Sequence, residues 1–322
     1  MRRGAWLLLT ALLLGLLLAS LAFGELRLSP AQIWEGLRGR DDLAHTVLWN
    51  LRLPRAIVAI SVGAALAASG TVMQALFRNP LASPDLLGVS SGGALGAVCA
   101  LGLGWGAQSL FAVPLCALLG AFLAVALVLM LAKQGAGVER LLLCGVALTA
   151  LLGAGTSFVL SLSAEQFDRA SSMVFWLLGG LEDRTWEHVA MAAPGVLIGC
   201  LLLLPLGRPM DLLALGEGGA QSLGVDVKRL RWKLIALSTI LTALATAVAG
   251  LIGFVGLVVP HLLRLLVGPG HRRLLPLSML GGASFLLACD LVTRLAPGQL
   301  RVGVVSALVG GPFFLWLLRR KP

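Results

Sequence analysis

Residues 234–264 read LIALSTILTALATAVAGLIGFVGLVVPHLLR, with no formal charge between Lys233 and Arg264. An uncharged apolar run of ~18 residues or more is long enough to cross a bilayer as a helix. This one holds a full crossing over 234–252 and a second, shorter segment over 255–268. The second contains Pro260 and follows Gly253 and Gly256, which predicts a broken or half-length helix. Backbone opened by glycine and proline at membrane depth is tolerated only where it lines protein or a cavity. His261 and Arg264 share a helix face. With no nucleophile or carboxylate beside them, they read as a structural polar contact.

Working outward, similar runs fill the chain. Its 322 residues are 58% hydrophobic and 12% charged, and the mean hydropathy is +0.94. A water-solvated domain of this size needs far more surface charge. The expected architecture is all-α and integral to the membrane, a single domain over residues 1–322. Ten spans are read at about 5–23, 55–77, 86–104, 111–131, 141–162, 188–206, 234–252, 255–268, 275–293 and 303–318. The run after Met1-Arg2-Arg3 is too long for a signal-peptide core and is read as a retained first span.

The net charge of +10 is read through orientation, since no basic stripe interleaved with aromatics points to nucleic acid. With both termini in the cytoplasm, the inner segments carry sixteen bases, Lys133, Arg320 and Lys321 among them, against five acids. The outer segments carry nine bases, including Arg27, against ten acids. Lys and Arg concentrate on the cytoplasmic side of membrane proteins, so both termini are placed there. The five cysteines lie inside apolar runs without C-x-x-C spacing, and the four histidines are scattered. Neither set suggests a metal site. The spacings Gly92-x-x-x-Gly96 and Gly102-x-x-x-Gly106 fit close helix contacts. A faint echo between 60–88 and 242–268, in spans of opposite direction, fits an inverted repeat.

Two further segments depart from plain spans. In Arg52-Leu53-Pro54-Arg55 the proline suits a first helical turn. Its two arginines fall on the outer side, where snorkelling to headgroups and docking to an acidic partner both remain open. The longest cytoplasmic loop, about 207–233, holds signals for two short helices. Asp211 is expected to cap Leu212–Leu215, Gly216 to break the chain, and Glu217 to start a second helix through Ala220 and Leu223 that Gly224 ends. Short helices with exposed leucines favour a protein partner over an amphipathic segment resting on lipid.

Seven motifs in order resemble the membrane permease family of importers for iron–siderophore, haem and vitamin B12, over about Leu51 to Leu318. They are Arg52-Leu53-Pro54-Arg55, Arg78-Asn79-Pro80-Leu81-Ala82-x-Pro84, Leu87-Gly88, Phe175-Trp176-Leu177-Leu178-Gly179-Gly180, Leu215-Gly216-Glu217-x-x-Ala220-x-x-Leu223-Gly224, Gly253-Phe254-Val255-Gly256-Leu257-Val258-Val259-Pro260-His261 and Gly310-x-Pro312-Phe313. The resemblance implies ten spans per subunit, a homodimer with its translocation path along the dimer interface, two copies of a separate ABC ATPase, and a periplasmic binding protein. It implies that Leu215, Gly216, Glu217, Ala220, Leu223 and Gly224 couple to the ATPase. It further implies that Arg52, Arg55 and Arg294 meet acidic residues of the binding protein. Two departures are visible. Gln299-Leu300-Arg301-Val302-Gly303 stands where relatives carry an acidic stretch, and Val138-Glu139 stands where some place small hydroxyl residues of a gate.

The expected function is the permease subunit of an ATP-driven importer of an iron chelate, a ferric siderophore or haem, in the bacterial inner membrane. A cobalamin permease is the alternative. The chain has no G-x-x-x-x-G-K-[ST] loop. ATP and its magnesium therefore belong to the partner, and this chain is expected to bind no cofactor and catalyse nothing. Gly153, Gly155, Thr156 and Ser157 of the fifth span are read either as path lining or as ordinary small-residue packing. An intramembrane enzyme or an ion-coupled carrier needs paired ionisable groups at mid-depth. Asp290 and Arg294, four apart near the outer end of span nine, suffice only for a local ion pair.

Overall fold

The computed structural model describes residues 2–24, 26, 28–132, 138–296, 298 and 300–319. Arg27, Lys133, Gln299, Arg320 and Lys321 lie outside these residues, as do the side chains of Arg2, Arg3 and Val138. The described residues form helices and loops without a strand. Ten apolar helices stand at the ten expected places. They are α1 (Arg2–Ala22), α2 (Leu53–Leu76), α3 (Val89–Gly102), α4 (Ala112–Ala132), α5 (Val138–Leu162), α6 (Trp186–Leu203), α7 (Val227–Ala249), α8 (Val255–Val267), α9 (His271–Leu295) and α10 (Val302–Arg319).

Seven of these segments are long and apolar enough for a crossing; α3, α8 and α10 are shorter. The short α8 was expected, but the short α3 was not. Its 14 residues rise only about 21 Å, against a hydrocarbon core of about 30 Å. The cause is local. Pro84–Leu87 winds as a 3-10 turn, and Gly88 adopts a left-handed φ of 73° that delays the helix start. Parts of the expected outer loops are also helical, at Pro30–Leu37, Asp42–Thr46, Trp105–Gln108 and Phe167–Leu177.

The centre of the bundle is α2. Nearly its whole length is buried against α9, α7, α6 and α8. Lipid is as apolar as leucine, so helices in it associate by close backbone packing. At the α2–α9 crossing, a Cβ on Gly63 would lie 2.2 Å from the carbonyl oxygen of Gly282, and one on Gly282 would lie 2.2 Å from that of Gly63. The expected Gly92/Gly96 pair makes the corresponding crossing of α3 on α4, against Gly120 and Cys116. Gly102 and Gly106 meet side chains only. Around this core, α1, α5 and α6 turn large apolar side chains outward, among them Leu7, Leu143, Phe158 and Leu197. Lipid solvates such a surface where water would not.

Candidate functional site

The loop between α6 and α7 folds as a foot of two short helices, Gly207–Leu213 and Glu217–Ser222. Gly216 joins them at a φ of 100° and Gly224 closes the second at 83°, conformations that cost a side-chain-bearing residue. The inner faces are apolar: Met210, Leu213 and Ala220 are buried. The ring of charges around them ties the foot to three long helices. Glu217 accepts a hydrogen bond from Arg231 at the start of α7 and lies 3.9 Å from Arg78, just past α2.

Asp211 departs from its expected role. It sits within the first short helix and does not cap it. Its carboxylate accepts from the backbone N–H of His271 at 2.6 Å and faces that residue's Nδ1 at 2.8 Å. It therefore satisfies the exposed amide at the start of α9, a helix 60 residues away, which sequence spacing could not reveal. What remains outward on the foot is Leu215 and Leu223, 67% and 58% exposed, beside Gly218, which has no neighbour within 4 Å of a built Cβ. Two leucines on a rigidly anchored knob form an apolar contact surface.

At the opposite end of the bundle the three arginines of the sequence reading converge, but they turn inward. Asp290 is fully buried. Arg55 donates to its Oδ1 at 2.8 Å, and Arg294 lies 3.0 Å from its Oδ2. Arg294 also donates to the carbonyl oxygen of Ser20 at 3.0 Å. Arg52, 5% exposed, donates to the carbonyls of Leu21 and Leu26. The cluster thus ties the end of α1 to the start of α2 and the end of α9. Donors of the three arginines expected to meet a binding protein are thus directed at backbone carbonyls and one buried carboxylate, while the Nε of Arg294 is buried without a hydrogen-bond partner. Asp290 is the residue that sequence reasoning undervalued. Its i, i+4 pairing with Arg294 was legible, whereas Arg55 comes from 235 positions away.

Three of the quoted motifs meet Gly303 between these two poles. The chain leaves α7 at Gly250 and runs without helix to Phe254. Gly180 N–H donates to Ala249 O at 2.9 Å and Gly303 N–H to Gly179 O at 3.1 Å. A Cβ on Gly179 would lie 2.0 Å from Leu251 O, and one on Gly310 would lie 2.4 Å from Phe254 Cβ. Gly179 is therefore fixed by backbone-to-backbone approach, and Gly310 by the Phe254 side chain, around the opened segment, protein-lined as membrane depth requires. Arg264 donates to Gln74 at 2.9 Å, the polar contact expected of it. Arg301, where an acidic stretch was absent, pairs with Glu182 and lies over the Phe175 ring at 4.6 Å.

The four α5 residues do not share a face. Gly153 and Ser157 are exposed, with nothing within 4 Å of a built Gly153 Cβ, while Thr156 is buried and donates to Leu152 O at 2.9 Å. Gly155 packs on Leu95 of α3. Gly153 and Ser157 thus lie on the exposed face of α5, while Gly155 and Thr156 pack inward.

The sequence profile of the FecCD transport family matches residues 12–320. The chain belongs to the FecCD transport family. It is 44% identical over 285 residues to the cobalamin import system permease protein BtuC of Halobacterium salinarum, covering 88% of this chain and 76% of the relative. It is 41% identical over 319 residues to the hemin transport system permease protein HmuU of Yersinia pestis, covering 97% and 94%. The structure described as an inward-facing metal-chelate type ABC transporter superposes over the full length of both chains, with a TM-score of 0.90 and 36% identity. This FecCD chain is a multi-pass membrane permease subunit of an ABC importer. It is not catalytic; the ATPase is a separate subunit.

Proposed function

We propose that this permease carries an iron chelate, a ferric siderophore or haem, from periplasm to cytoplasm across the bacterial inner membrane, with both termini cytoplasmic. Two copies form the working unit and the cargo passes along their interface. The exposed apolar face of α5, with Leu143, Leu151 and Phe158 around Gly153 and Ser157, supports that placement. Large chelates need a wide, weakly binding lining, and small residues supply one. Cobalamin is the second reading, favoured by the relatives named for it. Two ABC ATPases bind ATP and magnesium on the cytoplasmic side and drive the dimer between inward-open and outward-open states.

The observation that carries the reading is the foot, with Leu215 and Leu223 exposed in the turns that follow two short helices tied to α2, α7 and α9. A groove on the ATPase that grips these leucines moves all three helices together. A periplasmic binding protein delivers the cargo. Arg52, Arg55 and Arg294 belong to the surface that docks it, three guanidiniums gathered where α1, α2 and α9 meet. The test is co-purification. Leu215→Ser with Leu223→Ser should weaken capture of the ATPase by roughly ten- to a hundredfold, as truncated interface anchors do, while the permease still elutes as a monodisperse particle. Undiminished capture removes the foot from the coupling role. Transport of haem, ferric siderophore and cobalamin by the reconstituted complex, compared side by side, decides the cargo.

A further inference from the structure

Opposite the foot, a cavity of about 540 Å³ opens between the ends of α3 and α4, the last turn of α7, the start of α6 and the helix Phe167–Leu177. Its walls are mostly apolar, with Leu101, Val113 and Val248 among them. It borders α4, a peripheral helix whose Leu115 and Leu119 face outward, so its mouth lies beside lipid. Four ionisable side chains line it. Two are Asp168 and Arg169, and Arg169 donates to Gly102 O at 3.2 Å. The other two are Arg184 and His188.

His188 is 3% exposed. The backbone N–H of Thr185 donates to its Nδ1 at 3.3 Å and the Thr185 hydroxyl lies 3.1 Å from the same nitrogen; with Nδ1 accepting, the ring proton sits on Nε2. That Nε2 stands 3.4 Å from Nη1 of Arg184, so two donors face each other with no acceptor between them. The Nε of Arg184 is likewise buried without a hydrogen-bond partner. Glu182 and Asp183 act on Arg184 only from a distance: no carboxylate among the described residues lies within 4.0 Å of it, and Glu182 pairs with Arg301. Buried donors are rarely left unsatisfied, and facing donors in an apolar pocket of this size suit a ligand with an anionic head and apolar tails.

We propose that this cavity holds a phosphate-bearing membrane lipid, its phosphate between Arg184 and His188 and its acyl chains along α4. The test uses the full-length chain purified in mild detergent, offered phosphatidylglycerol, diacylglycerol or glycerol 3-phosphate, with bound ligand read by native mass spectrometry. Phosphatidylglycerol should be retained at one site that diacylglycerol, lacking the phosphate, fills at least tenfold less. Arg184→Gln should lower retention roughly tenfold, the loss of one charge-assisted pair, and Arg184→Lys by less. Ala107→Trp, which fills the mouth and leaves both donors in place, should also displace the lipid. It keeps the test open should Arg184→Gln fail to fold. Equal retention by the wild type and the folded variants overturns the proposal. So does equal binding of diacylglycerol, or displacement of the lipid by equimolar glycerol 3-phosphate, which assigns the site to a soluble phosphate ester.

Discussion

Asp290 holds two arginines from different helices while itself sealed from solvent. Removing one partner of a buried ion cluster leaves the others charged and uncompensated, a loss of about 3–5 kcal/mol. Asp290→Asn is therefore expected to lower the thermal unfolding temperature in detergent markedly, followed by tryptophan fluorescence. Asp226, more than half exposed, caps α7 through the N–H of Arg229 at 3.0 Å. Asp226→Ala should cost only about 1 kcal/mol, the usual worth of a cap. Similar losses in the two variants would show that the Asp290 cluster contributes no more than a surface carboxylate. The cap is a local contact with a partner three residues away, although the sequence reading did not single it out. The cluster was half legible, since only the Asp290–Arg294 pair lies within one helix.

Among elements, the decisive contacts are those where two backbones meet. A Cβ on Gly70 of α2 would stand 1.8 Å from the carbonyl oxygen of Gly256 in α8, while Gly153 of α5 faces open space. Overpacking against backbone has no rotamer through which to relax, and costs of about 1–3 kcal/mol or more are expected. Gly70→Val should abolish accumulation of the folded permease in the membrane, and Gly153→Val should leave it intact, both read by fluorescence-detected size exclusion of a tagged chain. Unimpaired Gly70→Val would mean that α8 can retreat from α2. Apolar runs and their interruptions disclosed most helix ends to within about four residues; α7 begins seven residues before its expected start, because its first turns carry Lys228, Arg229, Arg231 and Lys233. Which glycine meets which carbonyl is a property of the assembled bundle. The same limit explains why Asp211 was assigned to its own helix and not to α9.

For the whole molecule, the claim open to direct test is orientation. Positive-inside counting places the foot in the cytoplasm and the cavity beside Arg184 outside. With the five native cysteines replaced, Gln221→Cys should react with a membrane-impermeant maleimide only in inverted vesicles, and Ser109→Cys only in right-side-out cells. Both positions are exposed, so unreactive thiols will not confuse the result, and labelling of both from one side would refute the topology. Ten helices, the foot and the opened α7–α8 junction were readable from the chain. The inward turn of the arginines was not, because net charge on a segment does not say which carbonyls surround it.

One consequence follows from the way α9 is fastened. Its first residue is held by Asp211 of the foot, and its far end carries Asp290 and Arg294 in the cluster that also grips α1 and α2. Twenty-five residues make a strut of about 37 Å with a polar latch at each end. A push delivered on one side of the bilayer then arrives on the other as displacement of a stiff rod, with no relay of side chains needed. Loosening either latch should disengage the two sides from each other before it unfolds the rod between them.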